Sequence, residues 1–239
     1  MNFIKKRWTK KDYNIFIKEL KSLEDIPYKK FHSKLILEEK NIIGIRTPKL
    51  KEIAKEIAQG NYLEFLNQCQ NIFYEEKVIS GLIIGYIKTN FQDVLTLLDH
   101  FIEQVDNWAI NDIVCANLKI FKKHQEEGFL YIKKLLKKNK PFSIRFGLVL
   151  LLDFYINNQY IDQILDIASS ICNNHYYVKM ANAWLISICY IKYPKKTKTL
   201  LEKQILDPWT QNKAISKIKD SKRVTEEVKK KLEILKRQN

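Results

Sequence analysis

The chain has 239 residues, 46% of them hydrophobic, so it can bury a substantial core as one domain or one continuous array and is not a disordered protein. Its 42 Lys and Arg against 27 Asp and Glu give a formal charge of +15, which makes a polyanion, nucleic acid or a membrane surface, the natural partner. The start, MNFIKKRWTKKD, lacks the apolar stretch of a signal peptide, and the longest strongly apolar run, FGLVLLL at 146–152, is too short to span a bilayer, so the expectation is a cytoplasmic protein.

Residues 1–41 are read as a divergent N-terminal cap, and residues 42–239 as repeats, the whole forming a single domain. Long apolar segments follow at VISGLIIGYI (78–87), IVCANLKI (113–120), FGLVLLLDFYI (146–156) and AWLISICYI (183–191). Their starts are 35, 33 and 37 residues apart. Between or after them lie amphipathic stretches at 94–105, 129–138, 160–172 and 197–206, so each unit offers two helices. Glycine and proline are sparse, at 6 and 5, and no period-2 alternation marks a strand. A two-helix unit cannot bury its apolar face alone, and stacking neighbours is the physical solution. The predicted fold is therefore all-α, an α-solenoid of HEAT-like helical repeats with a concave basic groove.

Three places along the repeats carry candidate chemistry. The first is VDNWAIND (105–112), where Asp106 or Asn107 would cap a helix start. Trp108 and Asp112, four apart, would then share one helix face with Cβ atoms about 5–6 Å apart. The second is PFSIRFGLVLLL (141–152), which sets Arg145, one of only five arginines, in a nearly apolar helix start. Two readings stand side by side there: a structural arginine, in a buried ion pair with Asp153 or Asp112 or snorkelling to water, and a planar clamp for phosphate. The third is HYYVKMANAWLIS, with Trp184 near the start of the next apolar segment. Taken at repeat spacing, Trp108, Asp112, Arg145 and Trp184 are expected to line a common groove. Lysines, among them Lys137, Lys140 and Lys213, would flank it.

Other chemistries find no support in the spacing. The cysteines, Cys69, Cys115, Cys172 and Cys189, and the four histidines show neither disulfide nor metal-ligand patterns. The basic residues are dispersed across the repeats, unlike those of a single membrane-anchoring helix.

Several segments in order resemble the AlkD-like DNA alkylation repair proteins, which are built from HEAT-like repeats. These are IIGIRTPKLKEIAKEI (42–57), YEEKVISGLIIG (74–85), DNWAIND (106–112), PFSIRFGLVLLL (141–152), YYVKMANAWLIS (176–187) and NKAISKIKDSKRV (212–224). Position by position, the resemblance implies that Asp112 is the catalytic aspartate, Trp108 and Trp184 the tryptophans of the active site, and Arg145 its arginine. Tyr28 is similar to an N-terminal tyrosine of the family. At Ser187, three residues after Trp184, catalytic members can carry an arginine. The implied activity is excision of alkylated purines from double-stranded DNA by a monomer that uses no metal or organic cofactor. The alternative within the same family is a non-catalytic repeat scaffold that binds DNA or an acidic protein.

Overall fold

Residues 2–36 and 39–238 are described by a computed structural model, and among them the chain forms fourteen α-helices and one 3-10 turn, with no strand. The helices fall into two compact units that divide between Lys123 and His124.

The first unit holds α1 (Lys10–Lys21), α2 (Ile26–His32), α3 (Thr47–Gln59), α4 (Tyr62–Gln68), α5 (Tyr74–Tyr86), α6 (Phe91–Ile102) and α7 (Trp108–Cys115). Its centre is α5, which packs against α3, α6 and α7. The reason lies in its sequence: Val78, Ile79, Leu82, Ile83 and Ile84 point to several sides of the helix, and all are buried. Each such side chain contributes roughly 1.5–3 kcal/mol when fully removed from water. No single neighbour can cover them all.

The second unit holds α8 (Gln125–Leu136), α9 (Pro141–Phe154), α10 (Ile161–Ser170), α11 (Tyr176–Lys192), α12 (Pro194–Glu202), α13 (Pro208–Lys219) and α14 (Glu226–Glu233). Here α9, α11 and α13 pack successively into one row, and α8, α10, α12 and α14 each cover a member of it. This two-layer order matches the alternation of apolar and amphipathic segments and is compatible with a helical repeat. The apolar segments at 78–87, 146–156 and 183–191 fall largely on α5, α9 and α11, and the amphipathic ones on α6, α8, α10 and α12.

The segment at 113–120 differs from expectation. Its helix, α7, stops at Cys115, and the chain continues through a turn into the 3-10 turn Lys119–Lys122. Asn117 accounts for the break. It is buried, and its Nδ2 donates to the Leu82 carbonyl of α5 at 3.1 Å. A Cβ at Gly85 would collide with that same amide, so the glycine admits the close approach.

The N-terminal residues are held by aromatic packing and by buried carboxylates. Trp8 and Phe16 both meet Phe65 of α4 edge-on, at ring separations of 4.9 and 5.1 Å. Glu75, 0% exposed, accepts from the amides of Ile43, Gly44 and Ile45 at 2.9, 2.7 and 3.2 Å. Gly44 stands at φ +100°, a region that favours glycine. The next residue, Glu76, accepts from the Tyr13 hydroxyl and the Phe73 amide. Burial pushes both carboxyls up, while the backbone amides pull them down.

Glu75 therefore serves as the shared acceptor of the irregular 43–45 segment. Replacing it with alanine leaves three amides without their acceptor, and the expected loss of stability is about 3 kcal/mol or more. Urea denaturation followed by circular dichroism checks this. A change below about 0.5 kcal/mol, the size of an ordinary surface substitution, would contradict the role.

Candidate nucleic-acid interface

In the first unit the site begins with the cap of α7. Of the two candidates, Asn107 performs it: its Oδ1 accepts from the amides of Ala109 and Ile110, both at 3.1 Å. Asp106 instead pairs with Lys77 at 2.5 Å, and Lys77 also reaches Glu39 at 3.1 Å. The buried side of α7 consists of Ala109, Ile110, Asn111, Val114 and Cys115. Trp108 and Asp112 are half-buried beside it, one turn apart. The Trp108 Nε1 donates to the Leu35 carbonyl at 3.3 Å, which ties the indole to the chain just after α2. Asn111 Nδ2 donates to Asp112 Oδ1 at 3.1 Å and fixes that carboxylate from within the helix.

Tyr28 lies on α2 in an ordered stack. Its ring is 5.1 Å from that of His32 with 17° between the planes, and the Arg46 guanidinium stands 5.0 Å from its centroid. Arg46 Nε in turn donates to Asp25 at 2.9 Å. Burial raises the Tyr28 hydroxyl and lowers the His32 imidazole, so both favour their neutral forms.

The second unit holds Arg145, Trp184, Lys137, Lys140 and Lys213. Arg145 is 3% exposed, its Nη1 donates to the Tyr177 carbonyl at 2.8 Å, and its guanidinium stands 5.8 Å from the Tyr177 ring. It thus anchors α9 to the start of α11. Trp184 is half-buried on α11, and its carbonyl accepts from the Ser187 hydroxyl at 2.7 Å. Ser187 is 2% exposed and turns back onto its own helix. Lys137 and Lys140 are exposed on the short turn between α8 and α9. Lys213 is half-buried on α13, one turn before Lys217, whose ammonium is pushed down by burial and by the charges of Lys213 and Arg145, against the pull of Asp220.

Charge is unevenly shared. From residue 124 onward there are 22 Lys and Arg against 11 Asp and Glu, whereas the first 123 residues have 20 against 16. Most of the excess positive charge therefore belongs to the second unit. Sequence reasoning missed a second feature of this unit, a run of aromatic rings at the starts of α9, α11 and α13. The signal was present in KPF, HYY and DPW, where each motif opens an inner helix.

A helical chain with this basic excess and these candidate residues is the kind of protein that engages nucleic acid, and comparison with known proteins narrows the class. The sequence matches the family of DNA alkylation repair enzymes over residues 16–218, and the chain belongs to that family. No curated protein matches it. Membership carries a role in DNA repair, with DNA as the partner. Among the described residues, no helix is long and apolar enough to cross a membrane.

Because Arg145 is buried, its removal acts on the protein itself as well as on any DNA contact. The expected cost of Arg145→Ala is about 3 kcal/mol in urea unfolding, as for a buried charged donor taken from its partners. A variant that unfolds at the wild-type midpoint would show that the residue is not an anchor.

Proposed function

We propose that the protein is a DNA N-glycosylase that releases purines alkylated at N7 or N3 from duplex DNA. The carrying observation is the pair on α7, Trp108 and Asp112, half-buried one turn apart beside the buried side of the helix. Alkylation at these ring nitrogens makes the base cationic, so it departs with the electrons of the C1′–N bond and needs no proton from a general acid. Positive charge then develops on the sugar, as in other glycosyl transfers. The Asp112 carboxylate stabilises that charge and orients the water that attacks C1′, whose proton passes to the carboxylate or to solvent.

Trp108 adds the attraction of an indole face for positive charge, about 0.5–2 kcal/mol per contact. Trp184 is assigned the second aromatic contact. Arg145, Tyr28, Lys137, Lys140 and Lys213 are assigned to holding DNA, and no metal or organic cofactor enters this scheme. We place the protein in the cytoplasm as a monomer and treat its units as parts of one HEAT-like repeat domain.

One observation favours a second reading, a non-catalytic scaffold that binds DNA. Ser187, where catalytic relatives can carry an arginine, is buried and bonded to its own helix, so it offers no phosphate contact.

Single-turnover release of N7-methylguanine from alkylated duplex DNA separates the two. Wild type is expected to release the base, and Asp112→Asn to do so about 100-fold more slowly or worse, in line with the loss of one preorganised electrostatic group. Duplex affinity should survive that substitution. No release by folded wild type that still binds duplex would establish the scaffold. For either reading, log affinity should fall with log salt at about −0.9 per phosphate neutralised.

A further inference from the structure

The row α9, α11, α13 carries an aromatic residue at the start of every helix. Phe142 is the second residue of α9, Tyr176 and Tyr177 open α11, and Trp209 is the second residue of α13. Their rings form a connected run. Phe142 lies 5.8 Å from Tyr177, Tyr177 lies 5.2 Å from Tyr176, and Tyr176 lies 5.7 Å from Trp209. His175 joins it, 6.0 Å from Phe142 and 5.9 Å from Tyr177.

These rings are not an interior cluster. Tyr176 is 54% exposed, His175 is exposed, and Phe142, Tyr177 and Trp209 are half-buried. Packing alone does not explain leaving five rings at a wet surface, since the inner helices are already covered by Val, Leu and Ile. Cations stand close to these starts. Arg145, one turn after Phe142 on α9, donates to the Tyr177 carbonyl, and Lys213 lies one turn after Trp209 on α13. Lys179, in the first turn of α11, pairs with Asp207 at 3.1 Å.

We infer that the aromatic run across α9, α11 and α13 is a platform for an unpaired strand of DNA, with bases stacking on the rings and phosphates facing Lys213. The chemistry selects the ligand. Duplex DNA hides its base faces and shows only edges and phosphates, whereas an unpaired strand exposes the π-faces that aromatic side chains recognise, without regard to sequence. An acidic protein would satisfy the lysines but gives the ring faces nothing comparable to bases. The surface sits in the unit with the larger excess of Lys and Arg, as a polyanion requires. It extends the proposed function from duplex to unpaired DNA and does not depend on base release.

The test is binding of a fluorescent 12-residue oligothymidylate to the full-length chain at low salt, read by anisotropy, beside a duplex of equal length. Trp209→Ala and Tyr176→Ala are each expected to weaken oligothymidylate binding by about 5- to 150-fold, the range for one lost base stack. Both should weaken duplex binding far less. Tyr176→Phe, which keeps the ring, should bind as wild type and guards against a folding defect. Lys213→Gln should reduce the salt slope by about 0.7, one single-strand phosphate.

Absence of oligothymidylate binding by wild type overturns the inference, as does unchanged affinity in the two alanine variants. Equal losses on duplex and single strand overturn it too, because the rings would then serve DNA in general. The outcome is separable from that of the glycosylase reading. A protein that releases no N7-methylguanine yet loses oligothymidylate affinity with Trp209 keeps the platform and loses the enzyme. One that releases the base and ignores the rings does the reverse.

Discussion

Everything else in this structure follows from inner helices that are apolar on more than one side. An ordinary surface helix hides one stripe and offers the opposite face to water. On α5, α9 and α11 the apolar residues run around the axis, and Ile144, Phe146, Leu148, Val149, Leu150 and Leu151 are all buried within two turns of α9. Such a helix is stable only between neighbours, hence the packing of α5 against α3 and α7 and of α11 against α9 and α13. The same constraint leaves little room for chemistry along the helix bodies. Several polar and aromatic groups stand instead at the helix starts, where the chain emerges and caps form, while Trp184 lies midway along α11.

At those starts the caps set where the candidate side chains stand. Asn107 caps α7 and so sets the direction in which Trp108 leaves the helix. Asp207 caps α13 by accepting from Thr210, and Pro208 follows at the first turn, which fixes Trp209 next in line. His175 accepts from the Tyr177 amide and adds its own ring to the aromatic run. A side chain that closes a helix end costs little extra to order, because its neighbours are already fixed by the cap.

The sequence disclosed the spacing of the layers better than it disclosed what stands at their ends. The period near 35 residues located α5, α9 and α11 because apolar runs are what burial demands. It did not foresee the early end of α7, since that end is set by Asn117 reaching a carbonyl on α5, a contact between residues 35 apart. Nor did it foresee Glu75, because an acid in YEEK reads as solvated charge until three amides are found around it. For Arg145 neither reading drawn from the sequence included the bond that its guanidinium donates to the Tyr177 carbonyl. The choice between Asp106 and Asn107 as cap was decided by Lys77, which claims the aspartate.

The contrast between Glu75 and Asp112 shows what the proposed chemistry asks of an aspartate. A carboxylate buried as deeply as Glu75 is pushed toward its neutral form and serves structure, its lone pairs spent on backbone amides. A fully exposed one would act across water, where a unit charge at 4 Å is worth only about 1 kcal/mol. Asp112 stands between these limits, half-buried at the edge of α7, with one oxygen steered by Asn111 and an indole one turn away. In that intermediate setting a charge acts through a dielectric lower than that of water. A leaving group that is already cationic needs no acid, so one carboxylate so placed suffices for the bond-breaking step. An uncharged base would need a proton donor as well, and the α7 pair supplies none. The proposed mechanism thus calls for purines that alkylation has already activated.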